Sequence, residues 1–185
     1  TKGRFWQVGG AGVWWPGRVY KEHLVSDAEY ELAYLHIDPH GRGIGFYTKI
    51  GGYAGSSTRT ELAAAILAIS AHGPVHFASD SQAMVKRANY YIELVRQSRP
   101  NNKPFALISD GDLWEHFYQA VQAKTPSSIR ISWVKGHATD EQVRDCTITK
   151  TDQEGNHKAD EIADIGARLF GKDVHSVATA YLIAY

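Results

Sequence analysis

The sequence predicts an α/β fold in which an antiparallel meander and then parallel strands form a mixed sheet, with helices packed on it. Three observations predict it. Between Gly9 and Ile50 apolar side chains recur at every second residue, the period of a strand with one buried face. From Thr58 the apolar period lengthens to that of a helix. Beyond Gly73 short buried-strand patterns alternate with helical stripes, the order that lays helices on a partly parallel sheet.

The elements follow in turn. Gly9-Gly10-Ala11-Gly12-Val13-Trp14-Trp15 reads as a loop entering a strand, and Pro16-Gly17 as a turn or bulge. Tyr30, Leu32, Tyr34 and His36 alternate as a second strand, Pro39-His40-Gly41 turns the chain, and Ile44, Phe46, Thr48 and Ile50 alternate as a third. Leu62, Ala65, Ile66 and Ile69 share one face of a helix that Gly73-Pro74 ends. Val75 to Ser79 is a short buried strand. Met84, Ala88, Tyr91, Ile92 and Val95 form a second helical stripe, closed by a polar break from Arg99 to Pro104. Leu113, Phe117, Ala120 and Val121 mark a third helix, with Asp110 or Asp112 as its N-cap. Ile129, Ile131 and Trp133 alternate as a strand, and Ala159, Ile162, Ala163, Gly166, Leu169 and Phe170 mark the last helix. Residues 171–185 read as a tail or an extra element.

Composition narrows the classes. The chain has 185 residues, 43% of them hydrophobic, enough for one domain with a single core. It starts at Thr1 without an initiator Met, as a processed or excised piece would. Lys+Arg and Asp+Glu both total 20, so the formal charge is zero and any nucleic-acid surface is a local patch. A single cysteine, Cys146, excludes an intrachain disulfide and argues against a secreted disulfide scaffold. The longest aliphatic run, Leu62 to Ile69, is far short of a membrane span. An intracellular location is the default expectation.

Three acids stand out by place. Glu61 lies in the first turn of the first long helix, Asp80 at the carboxyl end of a buried strand, and Asp160 at the start of the last helix. Strand ends and helix starts at one sheet edge are where α/β folds build active sites. Singly, each acid also reads as a helix-capping or dipole-matching residue. Their neighbours decide between the readings. Glu61-Leu62-Ala63-Ala64-Ala65-Ile66-Leu67-Ala68, Asp80-Ser81-Gln82, Asp112-Leu113-Trp114, Trp133-Val134-Lys135-Gly136-His137-Ala138 and Asn156-His157-Lys158-Ala159-Asp160 occur in that order. Together they resemble the type 1 ribonuclease H family, over about Gly9 to Arg168, with Gly10 to Trp15 resembling the entry to its second strand.

The resemblance implies a ribonuclease-H-like fold and an endonuclease that hydrolyses the RNA strand of RNA/DNA hybrids. It implies Glu61, Asp80 and Asp160 as metal ligands and as catalytic residues, with His137 as a mobile histidine that transfers a proton or helps product leave. Two Mg²⁺ ions about 4 Å apart suit such chemistry, with Mn²⁺ as a substitute, because hard cations prefer carboxylate oxygens. By position Ser57, Thr58 and Gln82 match residues that touch the minor groove of the hybrid. Ser57 and Thr58 also read as helix caps. Lys86, Arg87, Arg96 and Lys103, with Tyr91, match a basic handle that grips DNA phosphates; that segment reads otherwise as a solvated helix face with Tyr91 in the core. No membrane contact is implied, and other domains of a reverse transcriptase polyprotein are candidate partners.

One ligand is out of place. The family carries an Asp-Gly pair on its first strand, which counting back from Gly12 puts before Thr1. Asp38 is a substitute only if its Asp-Pro-His-Gly turn aims at the site. The expectation is therefore a domain over 1–170 lacking its first strand, with 171–185 beyond it. Residues 20–40 and 139–153 lengthen two connections; the second reads as a variable surface loop, with modulation of substrate access as the alternative. The competing reading is a catalytically inactive module of this fold that binds nucleic acid or protein. An integrase relative shares the fold but leaves Trp133 to Ala138 unexplained.

Overall fold

The computed structural model describes residues 6–53 and 57–171. Its elements are β1 (Trp6–Pro16), α1 (Asp27–Leu32), β2 (Tyr34–Ile37), β3 (Gly43–Tyr53), α2 (Ser57–Ser70), β4 (Val75–Ser79), α3 (Gln82–Arg96), α4 (Gly111–Lys124), β5 (Ile129–Trp133), α5 (Asp140–Arg144) and α6 (Lys150–Arg168). Two sheets result: antiparallel β1-β3-β2, and parallel β4-β5. This is the mixed α/β arrangement that the periodicities foretell.

Within the antiparallel sheet the order differs from a simple meander, because β3 lies between β1 and β2. Part of the expected second strand is also helical. Tyr30 and Leu32 belong to α1, and only Tyr34 to Ile37 are extended. The cause is local. Ser26 and Glu29 form a reciprocal capping box, each side chain bonding the other's backbone N–H. That Ser-x-x-Glu signal outweighs a weak alternation. Glu29 is 1% exposed and is paired with Arg18, and Ser26 Oγ donates to the Ser70 carbonyl at 2.6 Å. The 20–40 connection is thus a folded lobe clasped to the end of α2.

Asp38 is removed from the site as well. Its carboxylate accepts from the His40 and Arg42 backbone N–H groups and from the Arg42 guanidinium. It closes the turn into β3, as the bland reading of Asp-Pro-His-Gly has it.

The core has two parts joined by α2. Leu62, Ala65 and Ile69 face a cluster with Met84, Ala88, Ile92, Trp114, Phe117, Val121, Ile129 and Ile131. Ala63, Leu67 and Ala68 face Ala11 and Val13 of β1. The opposite face of β1 presents Gly10 and Gly12, where a Cβ would run into the α6 backbone at Ala159 and Ala163. These glycines let α6 lie directly on the strand, and so fix the depth at which α6 carries its polar residues. No described helix is long and apolar enough to cross a membrane.

Candidate active site

β1 and β4 each have one paired edge among the described residues, with β3 and β5 respectively. Between them runs a cleft of about 280 Å³. Gly10 to Pro16 and His76 to Asp80 form its long sides, α2 and α6 its walls. Glu61, Asp80 and Asp160 all line it. The three sequence-marked acids therefore meet at one place, from the first turn of α2, the end of β4 and the middle of α6.

Glu61 is held by one specific contact. Ser79 Oγ donates to Glu61 Oε2 at 2.8 Å and accepts from the Ser81 N–H at 3.1 Å. Burial pushes the Glu61 carboxyl above its ordinary pKa, Ser79 pulls it down, and the charges of Asp80 and Asp160 push it up again. Asp160 is raised by burial, then by the charge of Asp80, and lowered by His137 and His157. Like charges brought together in this way disfavour one another's ionised forms.

Asp80 is framed by the segment after β5. Trp133 Nε1 donates to the Asp80 carbonyl at 3.0 Å, the Val134 N–H donates to the Ser79 carbonyl at 3.1 Å, and the bare Cα of Gly136 sits against the Asp80 carboxylate. His137 follows with φ 48, a left-handed conformation uncommon for a residue with a Cβ. Its exposed ring stands 3.9 Å from Asp160. The loop is braced by Gln153, whose side-chain amide donates to the Ala138 carbonyl at 2.7 Å. Residues 139–153 are therefore not a plain loop. They contain α5, capped by Thr139, and the first turn of α6, capped by Thr149. In consequence Asp160 lies well inside α6 and does not open it.

The other marked residues divide. Gln82 is exposed at the first position of α3, next to Asp80; Ser57 is exposed and Thr58 half-buried at the start of α2. Lys86, Arg87, Arg96 and Lys103 are exposed. Arg87 lies over the Trp114 ring, 5.5 Å from its centre, and Arg96 pairs with Glu93 on its own helix. Tyr91 is a correction. It is 4% exposed and packs among Phe105, Trp114 and Tyr118. It is a core residue beneath the exposed basic residues of α3 and presents almost no surface to a ligand.

A family model described as RNase H matches residues 31–168. The chain belongs to the RNase H family. The family's reaction is cleavage of RNA in RNA/DNA hybrids. Among solved structures, the native prototype foamy virus protease-reverse transcriptase overlies 88% of the chain with a TM-score of 0.45 and 20% identity. The chain spans 20% of that protein's length. No curated protein matches the chain.

Sequence reading gave Ser79 and Gln153 no place around this cleft, and took Gly136 only as one residue of the Trp133 to Ala138 motif. Ser79 reads as one more strand residue, though a hydroxyl at the inward-facing end of an apolar strand is a usable signal. Gln153 carried no signal, since its partner is a backbone carbonyl. Arg59 was passed over too. It bridges α2 to the start of α4 by pairing with Asp110 and Asp112, so Asp112 of the Asp-Leu-Trp motif is structural.

Proposed function

We propose that this chain, free-standing or as the nuclease domain of a retroelement polyprotein, hydrolyses the RNA strand of RNA/DNA hybrids at the Glu61, Asp80 and Asp160 site. The observation that carries the reading is the convergence of these acids on one cleft, close enough for Asp80 and Asp160 to raise Glu61. The donor chemistry fits Mg²⁺ or Mn²⁺, since every candidate ligand is a hard oxygen. No three His, Cys, Asp or Glu side chains among the described residues form a ready cage. Glu61, Asp80 and Asp160 would hold the metal, which when bound supplies charge stabilisation and an acidified water.

The protein's own groups do the rest. His137, exposed beside Asp160, carries a proton to or from the departing strand end. Gln82, Ser57 and Thr58 hydrogen-bond the RNA strand across the minor groove. Lys86, Arg87, Arg96 and Lys103 hold the DNA strand by its phosphates, a contact that is strong and indifferent to sequence.

The missing ligand belongs to the cleft. Two strand edges that face each other across a slot leave backbone N–H and C=O groups without ladder partners. The buried Trp15 indole N–H, which has no acceptor among the described residues, lines the same slot. We place there the family's first strand, which carries the Asp-Gly pair and which the resemblance sets ahead of Thr1. An intracellular setting is part of the reading.

The test is cleavage of a labelled hybrid with Mg²⁺ by the chain alone and by the chain with an Asp-Gly strand restored ahead of Thr1. Cleavage by the restored form, with weak or no cleavage by the chain alone, is expected. A restored form that neither binds nor cuts hybrid overturns the nuclease reading. Binding without cleavage favours the inactive module.

A further inference from the structure

We infer that Ser79 is a positioning residue that sets the Glu61 carboxylate for metal, an inference that rests on the nuclease reading above. Ser79 is the last residue of β4. It is 8% exposed and is one of few buried polar residues in the described chain. A hydroxyl in such a place is costly unless bonded. Here it is bonded twice, in opposite senses. The Ser81 N–H donates to Ser79 Oγ at 3.1 Å, which leaves the hydroxyl proton to go to Glu61 Oε2 at 2.8 Å.

The two bonds give the hydroxyl a direction. Its acceptor side is fixed by the turn that starts α3, so its donor side is aimed at α2. Glu61 has a long side chain with several rotamers, and ordering it costs conformational entropy. A fixed donor on one carboxylate oxygen removes part of that freedom in advance. The bond engages Oε2 alone, and Glu61 lines the cleft that also holds Asp80 and Asp160. Groups that orient a metal ligand from behind commonly change metal affinity by about 10- to 100-fold when lost. Ser79 stands in that relation to Glu61, and its backbone carbonyl is gripped by the Val134 N–H, so the donor itself does not drift.

The experiment measures MgCl₂ binding calorimetrically, and hybrid cleavage against MgCl₂ concentration, for the chain alone and with the first strand restored. Ser79→Ala, Ser79→Thr and Glu61→Gln are compared, with the Ser79→Ala/Glu61→Gln double variant. Ser79→Ala should weaken Mg²⁺ binding and raise the half-saturating MgCl₂ about tenfold, with hybrid affinity in EDTA unchanged. Ser79→Thr keeps the hydroxyl and should restore most of the loss. In the Glu61→Gln background Ser79→Ala should add little. Wild-type Mg²⁺ binding by Ser79→Ala, or a full further loss in the double variant, overturns the inference and makes Ser79 a residue of the fold. If the parent protein itself binds no Mg²⁺ and cuts no hybrid, it is the nuclease reading that falls.

Discussion

Gly136 packs its bare Cα against the carboxylate of Asp80. A Cβ at position 136 would overlap Oδ2 of that carboxylate and press on its Cβ and Cγ. The glycine of Lys-Gly-His is thus required by close approach, because it lets the His137 loop and the Asp80 strand end occupy adjacent space. Gly136→Ala must push one of them aside. Misplacement of a reacting group by about 1 Å costs about 100-fold in rate. The expected outcome is a cleavage rate lower by roughly that factor, with the circular dichroism spectrum unchanged. Full activity would show that the loop yields and Asp80 does not depend on it.

Asp80→Asn removes the charge that raises both Glu61 and Asp160. Cleavage should be lost while the melting temperature of the metal-free protein holds or rises, since one source of carboxylate repulsion is gone. Differential scanning fluorimetry in EDTA, beside a hybrid-cleavage assay, checks both halves. A large fall in melting temperature with turnover kept would make Asp80 structural.

The aromatic cluster under α3 separates core from contact surface. Tyr91→Ala should destabilise by about 3–5 kcal/mol, as deletion of a buried ring does. Tyr91→Phe should cost less than about 1.5 kcal/mol and leave hybrid affinity alone. Lys86→Ala and Lys103→Ala should do the opposite. Stability should hold, and the slope of log affinity against log salt should drop by about 0.7–0.9 for each phosphate contact removed. A Tyr91→Phe variant that binds hybrid several-fold worse would return Tyr91 to the contact surface.

What could be read from the sequence divides along a physical line. Strong local patterns came through: the stripes of α2, α3 and α4, the β4 and β5 strands, and the ends at which Glu61 and Asp80 sit. Asp160 was found by its neighbours, yet its helix starts earlier, at Lys150, because the Thr149 cap lies inside what reads as loop. α1 was passed over although its Ser26-x-x-Glu29 capping box is a local signal, because the alternation through Tyr34 and His36 was read across it; the contact that clasps the lobe to α2, Ser26 with Ser70, is long-range. Periodicity does not record such contacts. Tyr91 shows the converse. Its helical stripe already placed it with core residues, and positional resemblance alone drew it toward the substrate.

Two groups of carboxylates make opposite demands on pH. Glu61 and Asp160 have raised pKa values in the folded protein, so the folded state holds their protons longer than the unfolded chain does. Their contribution to stability is complete below the unfolded pKa and is lost as pH rises through the folded one. Asp38 is the reverse. The Arg42 guanidinium, with the Arg42 and His40 backbone N–H groups, holds it far below the usual carboxylate range. Its contribution is present above the unfolded pKa and is lost as pH falls toward the folded one. Urea unfolding of the metal-free protein across the acidic range should therefore show two separable limbs. Asp80→Asn should flatten the loss on the high side, because it lowers both raised groups, and saturating Mg²⁺ should do the same by binding the charged forms. Asp38→Asn should flatten the loss on the acid side and leave the Mg²⁺ response intact. If Asp38→Asn changes Mg²⁺ binding instead, the turn it closes lies nearer the site than its hydrogen bonds indicate, and its exclusion from the ligand set fails.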